Sequence, residues 1–256
     1  MNLSVVIITK NEAHNIGDCL ASVAFAQQWI IVDSGSTDGT VGIARAAGAT
    51  VIETTDWPGF GPQKSRALAA ATGDWILSID ADERISDTLR EQIRAAIANA
   101  DHAAYEIARL SSFCGRFIRH GGWYPDRVLR LFRRGAARFS DHLVHERVIA
   151  DAPPGRLTAP IIHYSYRDDE DCLRKLAQYS TLGAAQAFTA GKRCGFGSVL
   201  GHAVAAFLRS YLFKSGFLDG RAGLMVALYA ADTTYHKYFK LMLLTEGQEK
   251  RPHDPA

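Results

Sequence analysis

Trp75-Ile76-Leu77-Ser78-Ile79-Asp80-Ala81-Asp82-Glu83 is a short apolar run that ends in carboxylates. Its apolar residues at 75, 76, 77 and 79 suit a central parallel strand covered on both faces. Asp80 and Asp82 then fall at the strand's carboxyl end, where open α/β sheets bind their ligands. Two neighbouring ionised aspartates repel each other, which suggests a compensating cation. Hard oxygen ligands favour Mg2+ or Mn2+, and so few protein carboxylates leave a substrate phosphate to complete the shell. The same residues also read as an acidic turn leading into the next helix, for Ser86 has the character of an N-cap.

Outward from this stretch the first hundred residues alternate. Strands are predicted at Leu3 to Thr9, Trp29 to Asp33 and Thr50 to Glu53, with helices at Glu12 to Ala24, Thr37 to Ala47 and Pro62 to Ala71 between them. A helix from Asp87 to Ala98 follows the carboxylates. Such repetition argues for a parallel, doubly wound sheet with right-handed crossovers. After residue 102 the rhythm changes. Ala103 to Leu110, Val128 to Phe132 and Ile161 to Tyr164 read as strands, and three helices are predicted at about 168–190, 197–213 and 219–240.

Length and composition fit one large α/β domain or one domain with an appendage. The net charge of +2 conceals an asymmetry. Residues 1–108 carry seven Lys or Arg against fourteen Asp or Glu, whereas 109–147 carry nine arginines against three acids. The middle block suggests a polyanionic partner such as phosphates or anionic lipid. Nucleic acid is not expected, since no nucleic-acid motif accompanies the charge. Cys19, Cys114, Cys172 and Cys194 form no Cys-x-x-Cys pair, which fits a reducing cytoplasm. The N-terminus lacks the pattern of a signal peptide. The apolar tracts at roughly 199–208 and 222–231 fall short of the ~20 residues that cross a bilayer.

Four polar features line up after successive strands: Thr9-Lys10-Asn11-Glu12, Asp33-Ser34-Gly35-Ser36-Thr37-Asp38-Gly39-Thr40, Gly61-Pro62-Gln63-Lys64 and Asp80-Ala81-Asp82. Singly, Asn11 and Ser36 read as helix caps and Lys64 as a solvated lysine. Together they would converge on one rim of the sheet. Carboxylates there accept base or ribose donors, and a lysine and a metal meet a diphosphate. Neither Gly-x-Gly-x-x-Gly nor Gly-x-x-x-x-Gly-Lys is present, so the nucleotide must be gripped by side chains and metal.

The set Ser4-Val-Val-Ile-Ile-Thr-Lys-Asn-Glu12, Asp33-Ser-Gly-Ser-Thr-Asp-Gly-Thr40 and Asp80-Ala-Asp82 resembles glycosyltransferase family 2, with a GT-A (Rossmann-like) fold: a mostly parallel central sheet flanked by helices. Gly122-Trp-Tyr-Pro-Asp-Arg-Val-Leu-Arg-Leu-Phe-Arg-Arg134, Val144-His-Glu146, His163-Tyr-Ser-Tyr166 and Gly216-Phe-Leu-Asp-Gly220 are similar to the branch of lipopolysaccharide core β-1,4-glucosyltransferases. The likeness runs to about residue 243. It implies a GT-A domain over 1–166, divided into a nucleotide-sugar part (1–108) and an acceptor side (109–166). A helical C-terminal region (167–245) and a flexible tail (246–256) would follow.

By the same resemblance, Thr9, Asn11, Glu12, Asp33, Lys64 and Asp80 would bind the nucleotide sugar, expected to be UDP-glucose. Asp82 would be the principal metal ligand, with Asp80 beside it and Mg2+ or Mn2+ as cofactor. Many relatives carry proline where Lys10 stands. Family members invert the anomeric centre, which requires a base near the acceptor hydroxyl. Glu146 is the candidate, Asp126 and Asp141 the alternatives. Trp123, Arg127, Arg130 and His145 would face the acceptor, a lipid-linked or phosphorylated glycan.

Arg127, Arg130 and Arg133 are spaced at three, so they cannot share one face of a regular strand. Some should pair with structural acids, and others remain for phosphate. The helical region interleaves Phe196, Leu200, Phe207, Tyr211, Leu212, Phe213 and Phe217 with Arg209, Lys214 and Arg221. That pattern suits a peripheral helix on the cytoplasmic face of an inner membrane, or packing on the sheet domain, or a dimer seam. Two other classes compete with an active transferase: a nucleotide-sugar-binding scaffold without chemistry, and a sugar nucleotidyltransferase. The latter would need a glycine-rich basic loop near strand one, which Thr9-Lys-Asn-Glu12 does not provide.

Overall fold

The computed structural model describes residues 2–140 and 147–249. They divide into two compact units, one running to Leu110 and resuming over Pro125–His163, the other comprising Ser111–Tyr124 and the chain from Tyr164. In chain order the strands and helices of the first part are β1 (Leu3–Thr9), α1 (Ala13–Ser22), β2 (Gln28–Asp33), α2 (Thr40–Ala46), β3 (Thr50–Glu53), α3 (Phe60–Ala69), β4 (Trp75–Ser78), β5 (Glu83–Arg84) and α4 (Asp87–Asn99). Then come β6 (Ala104–Phe113), β7 (Arg116–Phe117), β8 (Asp126–Arg133), β9 (Ala137–Phe139), β10 (Val148–Ala150), β11 (Gly155–Arg156) and β12 (Ile161–Tyr166). The C-terminal helices are α5 (Asp169–Thr189), α6 (Phe196–Leu208) and α7 (Gly220–Glu249).

In the first unit the sheet order begins β3-β2-β1-β4-β8-β6. The first four strands are parallel, as the strand–helix alternation requires, since a parallel neighbour can be reached only through a crossover. From β4 onward the pairing turns antiparallel: Leu77 lies opposite Leu131 of β8, and Phe132 opposite Ala104 of β6. The sheet is therefore mixed, with helices on both faces. Alternate residues of one strand serve opposite cores. Val5, Ile7, Ile31 and Leu77 pack with Ile16, Leu20, Leu89 and Ile93, whereas Val6, Ile30, Val32 and Ile76 pack with Ala67, Ala71 and Phe132. This double burial is why these strands read as unbroken apolar runs. Gly73, just before β4, has no room for a side chain, because an added Cβ would lie 2.8 Å from the Ser4 backbone nitrogen.

The acidic turn does lead into a capped helix. Ser86 Oγ accepts the Leu89 N–H at 3.2 Å and caps α4, while Asp80 and Asp82 precede it at the end of β4.

The second unit is built from helices and an aromatic cluster. Asp168 caps α5 by accepting the Asp171 N–H at 2.8 Å. Ala184, Ala187, Val199, Leu241 and Met242 join the three helices. Phe113, Trp123, Tyr166 and Tyr229 surround Ile118, Cys172 and Val226. Gly216 and Gly223 pass so closely that a Cβ on Gly223 would stand 1.8 Å from the Gly216 carbonyl oxygen. Beyond α6 a π-helical turn (Arg209–Phe213) carries the helix on through Arg209. The stretch Phe196–Phe213 is thereby 18 residues long with mean hydropathy 1.2, enough by length and composition to cross a membrane, and 11% of it is buried. It is longer than the tract at 199–208 that the sequence pattern singles out, because the charge of Arg209 breaks the apolar run without breaking the helix.

Candidate functional site

The carboxyl ends of β1, β2 and β4 lie side by side, and the loops leaving them are tied together by side chains. Asp33, almost fully buried at the end of β2, uses one oxygen to accept the N–H groups of Gly35 and Ser36 at 3.0 and 2.8 Å. The other oxygen accepts the hydroxyls of Thr9 at 2.9 Å and of Ser36. Four bonds occupy all the lone-pair sites of a carboxylate. Asp33 thus organises the loop that the donor would meet, joining β1 to the turn after β2.

Asn11 holds the same loop from the other side. Its backbone takes φ of 57°, a left-handed conformation that asparagine tolerates better than most residues. There its N–H reaches Ser36 Oγ at 2.8 Å and its side-chain oxygen accepts the Thr37 N–H at 2.8 Å. It does not cap α1, whose N-cap position is Glu12. Glu12 donates its N–H to Thr40 Oγ1 at 2.8 Å and accepts from Asn15 Nδ2 at 2.8 Å. Asp38 accepts from Thr40, and that hydrogen bond holds its carboxyl below the usual range despite some desolvation. Buried Gln63 links the loop after β2 to β3, reaching Ser34 Oγ at 2.9 Å and Thr54 Oγ1 at 2.7 Å.

At the end of β4 the two aspartates part company. Asp80 sits between two cations, with Lys64 Nζ 2.9 Å from Oδ1 and Arg130 Nη2 2.6 Å from Oδ2. Both cationic side chains are buried: Lys64 in the first turns of α3, and Arg130 on the inward side of β8. Burial alone would raise the Asp80 pKa. The charges of Arg130 and Lys64 outweigh it and hold the carboxyl well below the usual range. Arg130 also meets Glu83 at 2.8 Å, and Glu83, fully buried, accepts the Asp80 N–H at 2.9 Å. Burial pushes the Glu83 pKa up, with Arg130 opposing and Asp80 adding to the rise.

Asp82 turns instead toward His163, whose Nε2 lies 3.3 Å from Asp82 Oδ2. The antiparallel register His163↔Glu83 between β12 and β5 sets this meeting. Desolvation opposes the His163 imidazolium, but the hydrogen bond and charge of Asp82, with the charge of Glu83, raise its pKa above the ordinary value. Cys19 lies beneath the same loop, 3.6 Å from the Asp80 carbonyl, and burial pushes its thiol far above the reactive range.

The fold thus brings Thr9, Asn11, Glu12, Asp33, Lys64, Asp80 and Asp82 to one rim. Arg130 joins them as the partner of Asp80. Of the other arginines in its strand, Arg127 and Arg133 are exposed. Asp126 accepts from Arg109 Nε at 2.8 Å. Trp123 belongs to the other unit, within the aromatic cluster of Phe113 and Tyr166. Asp141, His145 and Glu146 lie outside the described residues. The motif reading did not assign His163, Glu83 or Arg109 to the site. Glu83 adjoins Asp82 and His163 heads the His163-Tyr-Ser-Tyr166 motif, but no role followed from either, and Arg109 carries no sequence signal.

A family model described as glycosyl transferase family 2 matches residues 4–148. The lipopolysaccharide core biosynthesis glycosyltransferase LpsC of Rhizobium meliloti is 31% identical over 255 residues, covering 92% of this chain and 93% of the relative. An uncharacterized glycosyltransferase of Rickettsia typhi is 30% identical, covering 95% of this chain and 87% of its own. Among solved structures, glucosyl-3-phosphoglycerate synthase from Mycobacterium tuberculosis, in complex with Mn2+, uridine diphosphate and glucosyl-3-phosphoglycerate, is 27% identical. It covers 44% of each chain with a TM-score of 0.37.

Proposed function

The chain belongs to glycosyltransferase family 2 and has its GT-A fold, and from that premise we propose a metal-dependent, inverting hexosyl transfer. The donor is proposed to be UDP-glucose and the acceptor an inner-core lipopolysaccharide or related cell-envelope glycan, lipid-linked or phosphorylated. The observation that carries this reading is the division of labour between Asp80 and Asp82. One aspartate is neutralised by buried cations, and the other is left facing an imidazole at the mouth of the sheet.

Among the described residues no three His, Cys, Asp or Glu side chains gather for a metal, so a divalent ion here would rest on two side chains and the donor's phosphates. Asp82 supplies a carboxylate oxygen and His163 a ring nitrogen, both ligand types that Mn2+ accepts, and they already stand 3.3 Å apart. Asp82 and His163 would hold the ion directly, with Asp80 adjacent and engaged by Lys64 and Arg130. When bound, such an ion offsets the negative charge that grows on the departing diphosphate. The chain's own residues do the rest. Arg130 and Lys64 keep Asp80 ionised, and Glu83 anchors the Asp80 N–H, so the acidic loop is held in place before the donor arrives. The Asp33 loop and the turn of Asn11 and Glu12 shape the recess for base and ribose.

Glu146 is proposed as the base that takes the acceptor hydroxyl proton, with Asp126 and Asp141 as alternatives. Arg127 and His145 are proposed on the acceptor side, with Trp123. LpsC, a lipopolysaccharide core enzyme by name, supports the acceptor class, and a resemblance of 37% over 92 residues to glucosyl-3-phosphoglycerate synthase of Mycolicibacterium smegmatis supports glucose. Four free thiols fit a reducing cytoplasm as the place of reaction.

Nucleoside diphosphate release by purified protein, measured across UDP-, GDP- and ADP-sugars with and without truncated core acceptor, tests the proposal. UDP release from UDP-glucose should need both acceptor and Mg2+ or Mn2+. Asp82→Ala should lower it by about 10²–10³-fold while leaving the circular dichroism unchanged. Normal turnover in that variant would overturn the metal assignment, and release of pyrophosphate would overturn the reaction class.

A further inference from the structure

The second unit carries an apolar surface that its own core does not use. Along α6, Val199 is fully buried, His202 stacks on Tyr238 of α7 at 3.8 Å between ring centroids, and Ser210 Oγ reaches the Gly121 carbonyl at 3.2 Å. These contacts mark the inner side of the helix. Phe196, Leu200, Val204, Leu208 and Leu212 recur every four residues away from it, all exposed, and Phe213 is 80% exposed. Phe217, Leu218, Met225 and Leu228 add further exposed apolar side chains from the turn and the start of α7. Scattered exposed leucines are ordinary, but a row of this density in one segment is not.

The charges in the same segment are mostly positive. Lys192, Arg193, Arg209, Lys214 and Arg221 stand against Asp219 alone between residues 192 and 231. Asp219 is itself engaged, accepting the N–H groups of Arg119 and His120 at 3.0 and 2.7 Å and facing His120 Nδ1 at 3.0 Å. Apolar side chains in a cationic setting match the boundary of an anionic bilayer, where acyl chains take the former and headgroup phosphates the latter.

We infer that α6, the π turn and the start of α7 form a membrane-docking face that lies in the interface of an anionic phospholipid bilayer. The helix lies in the plane rather than across it. Its inner side is held by α7 through Val199 and the His202–Tyr238 stack, and by Gly121, whose N–H donates to the Lys214 carbonyl at 2.9 Å. A spanning helix would have to give up all of these contacts and bury Arg209. This inference does not depend on which sugar is transferred.

Co-sedimentation of the full chain with vesicles of phosphatidylcholine, with and without phosphatidylglycerol, tests it. The chain should bind the anionic vesicles and leave the neutral ones largely in solution, with binding weakened by salt. A Leu200→Ser/Val204→Ser/Phe213→Ser variant should lower the partition coefficient by at least about tenfold. Ile43→Ser, an equally simple loss of an exposed apolar side chain in the other unit, should leave it unchanged. Absence of vesicle binding, or equal binding by the triple variant, would overturn the inference. A dimer that dissociates in the triple variant, with no vesicle binding by either protein, would assign the face to a second copy instead.

Discussion

The sheet rim and the C-terminal helices handle their misfit groups in opposite ways. At the rim, charged groups are buried and find partners within the chain: Asp80 has Lys64 and Arg130, Glu83 has Arg130, and Asp82 has His163. Along α6 and the turn after it, apolar side chains stand in solvent without such cover. Burying charge is costly unless it is paired, and exposing apolar surface is costly unless something covers it. The first unit therefore uses internal contacts to hold a few polar atoms still. The second leaves surface to be covered from outside.

The largest effect expected from this contrast is at Arg130. Arg130→Met keeps much of the side-chain volume but leaves Glu83 buried without its nearest cation and Asp80 with Lys64 alone. Urea unfolding should show a loss of about 3–5 kcal/mol, the usual result of removing one partner from a buried ionic group. A loss below about 1 kcal/mol would break the contrast, for the rim would then be no more dependent on pairing than an exposed salt bridge.

An intermediate effect contrasts two buried carboxyls, one from each unit, whose pH responses have opposite signs. Asp171, near the start of α5, would be raised by burial, but Lys175 and Arg174 outweigh this and hold it below its ordinary value. Its contribution is complete above about pH 4 and fades as pH falls through the folded-state value. Asp171→Asn should cost about 1.5 kcal/mol at neutral pH, with the gap from the parent closing in acid. Glu83 behaves inversely. Burial raises its pKa, so the folded state keeps a proton that the unfolded chain has released, and stability falls as pH climbs from about 4. Glu83→Gln should therefore gain on the parent over that interval. Unfolding measured across pH for both variants would show the opposed slopes, and slopes of the same sign would contradict the described electrostatics.

The smallest effect sharpens the other half of the comparison. The Leu200→Ser/Val204→Ser/Phe213→Ser variant removes three large apolar side chains, yet each exposed position should change stability in solution by no more than about 0.5 kcal/mol. A thermal midpoint close to that of the parent would mark these side chains as surface. A steep fall would mean that they belong to a core.

Several features were legible before any fold was known. The unbroken apolar runs of β1, β2 and β4 reveal strands buried on both faces, and the Ser86 cap is visible as a serine ahead of a helical pattern. The three arginines spaced at three announce that they cannot all share one face of a regular strand; that Arg130 is the one turned inward, beside a register shift of β8 against β6, shows only in the fold. The short strands β5, β7, β9, β10 and β11, two or three residues each, carry no period long enough to read. His163 heads a segment that carries the family resemblance, but its place in the site appears only when β12 pairs with β5 and sets it beside Asp82.

By itself, then, the sequence determined the layered α/β architecture, the family, and which acidic and polar segments end their strands on a common rim. Those properties depend on periodicity and local capping, which act over a few residues. The tertiary structure alone decided that Asp80 is a caged ion and Asp82 the partner of an imidazole, and that Arg130 serves the acidic loop. It also decided that the helix through Arg209 turns its apolar row to solvent. Each of these depends on contacts between residues far apart in the chain, and side-chain ionisation and exposure are properties of such contacts.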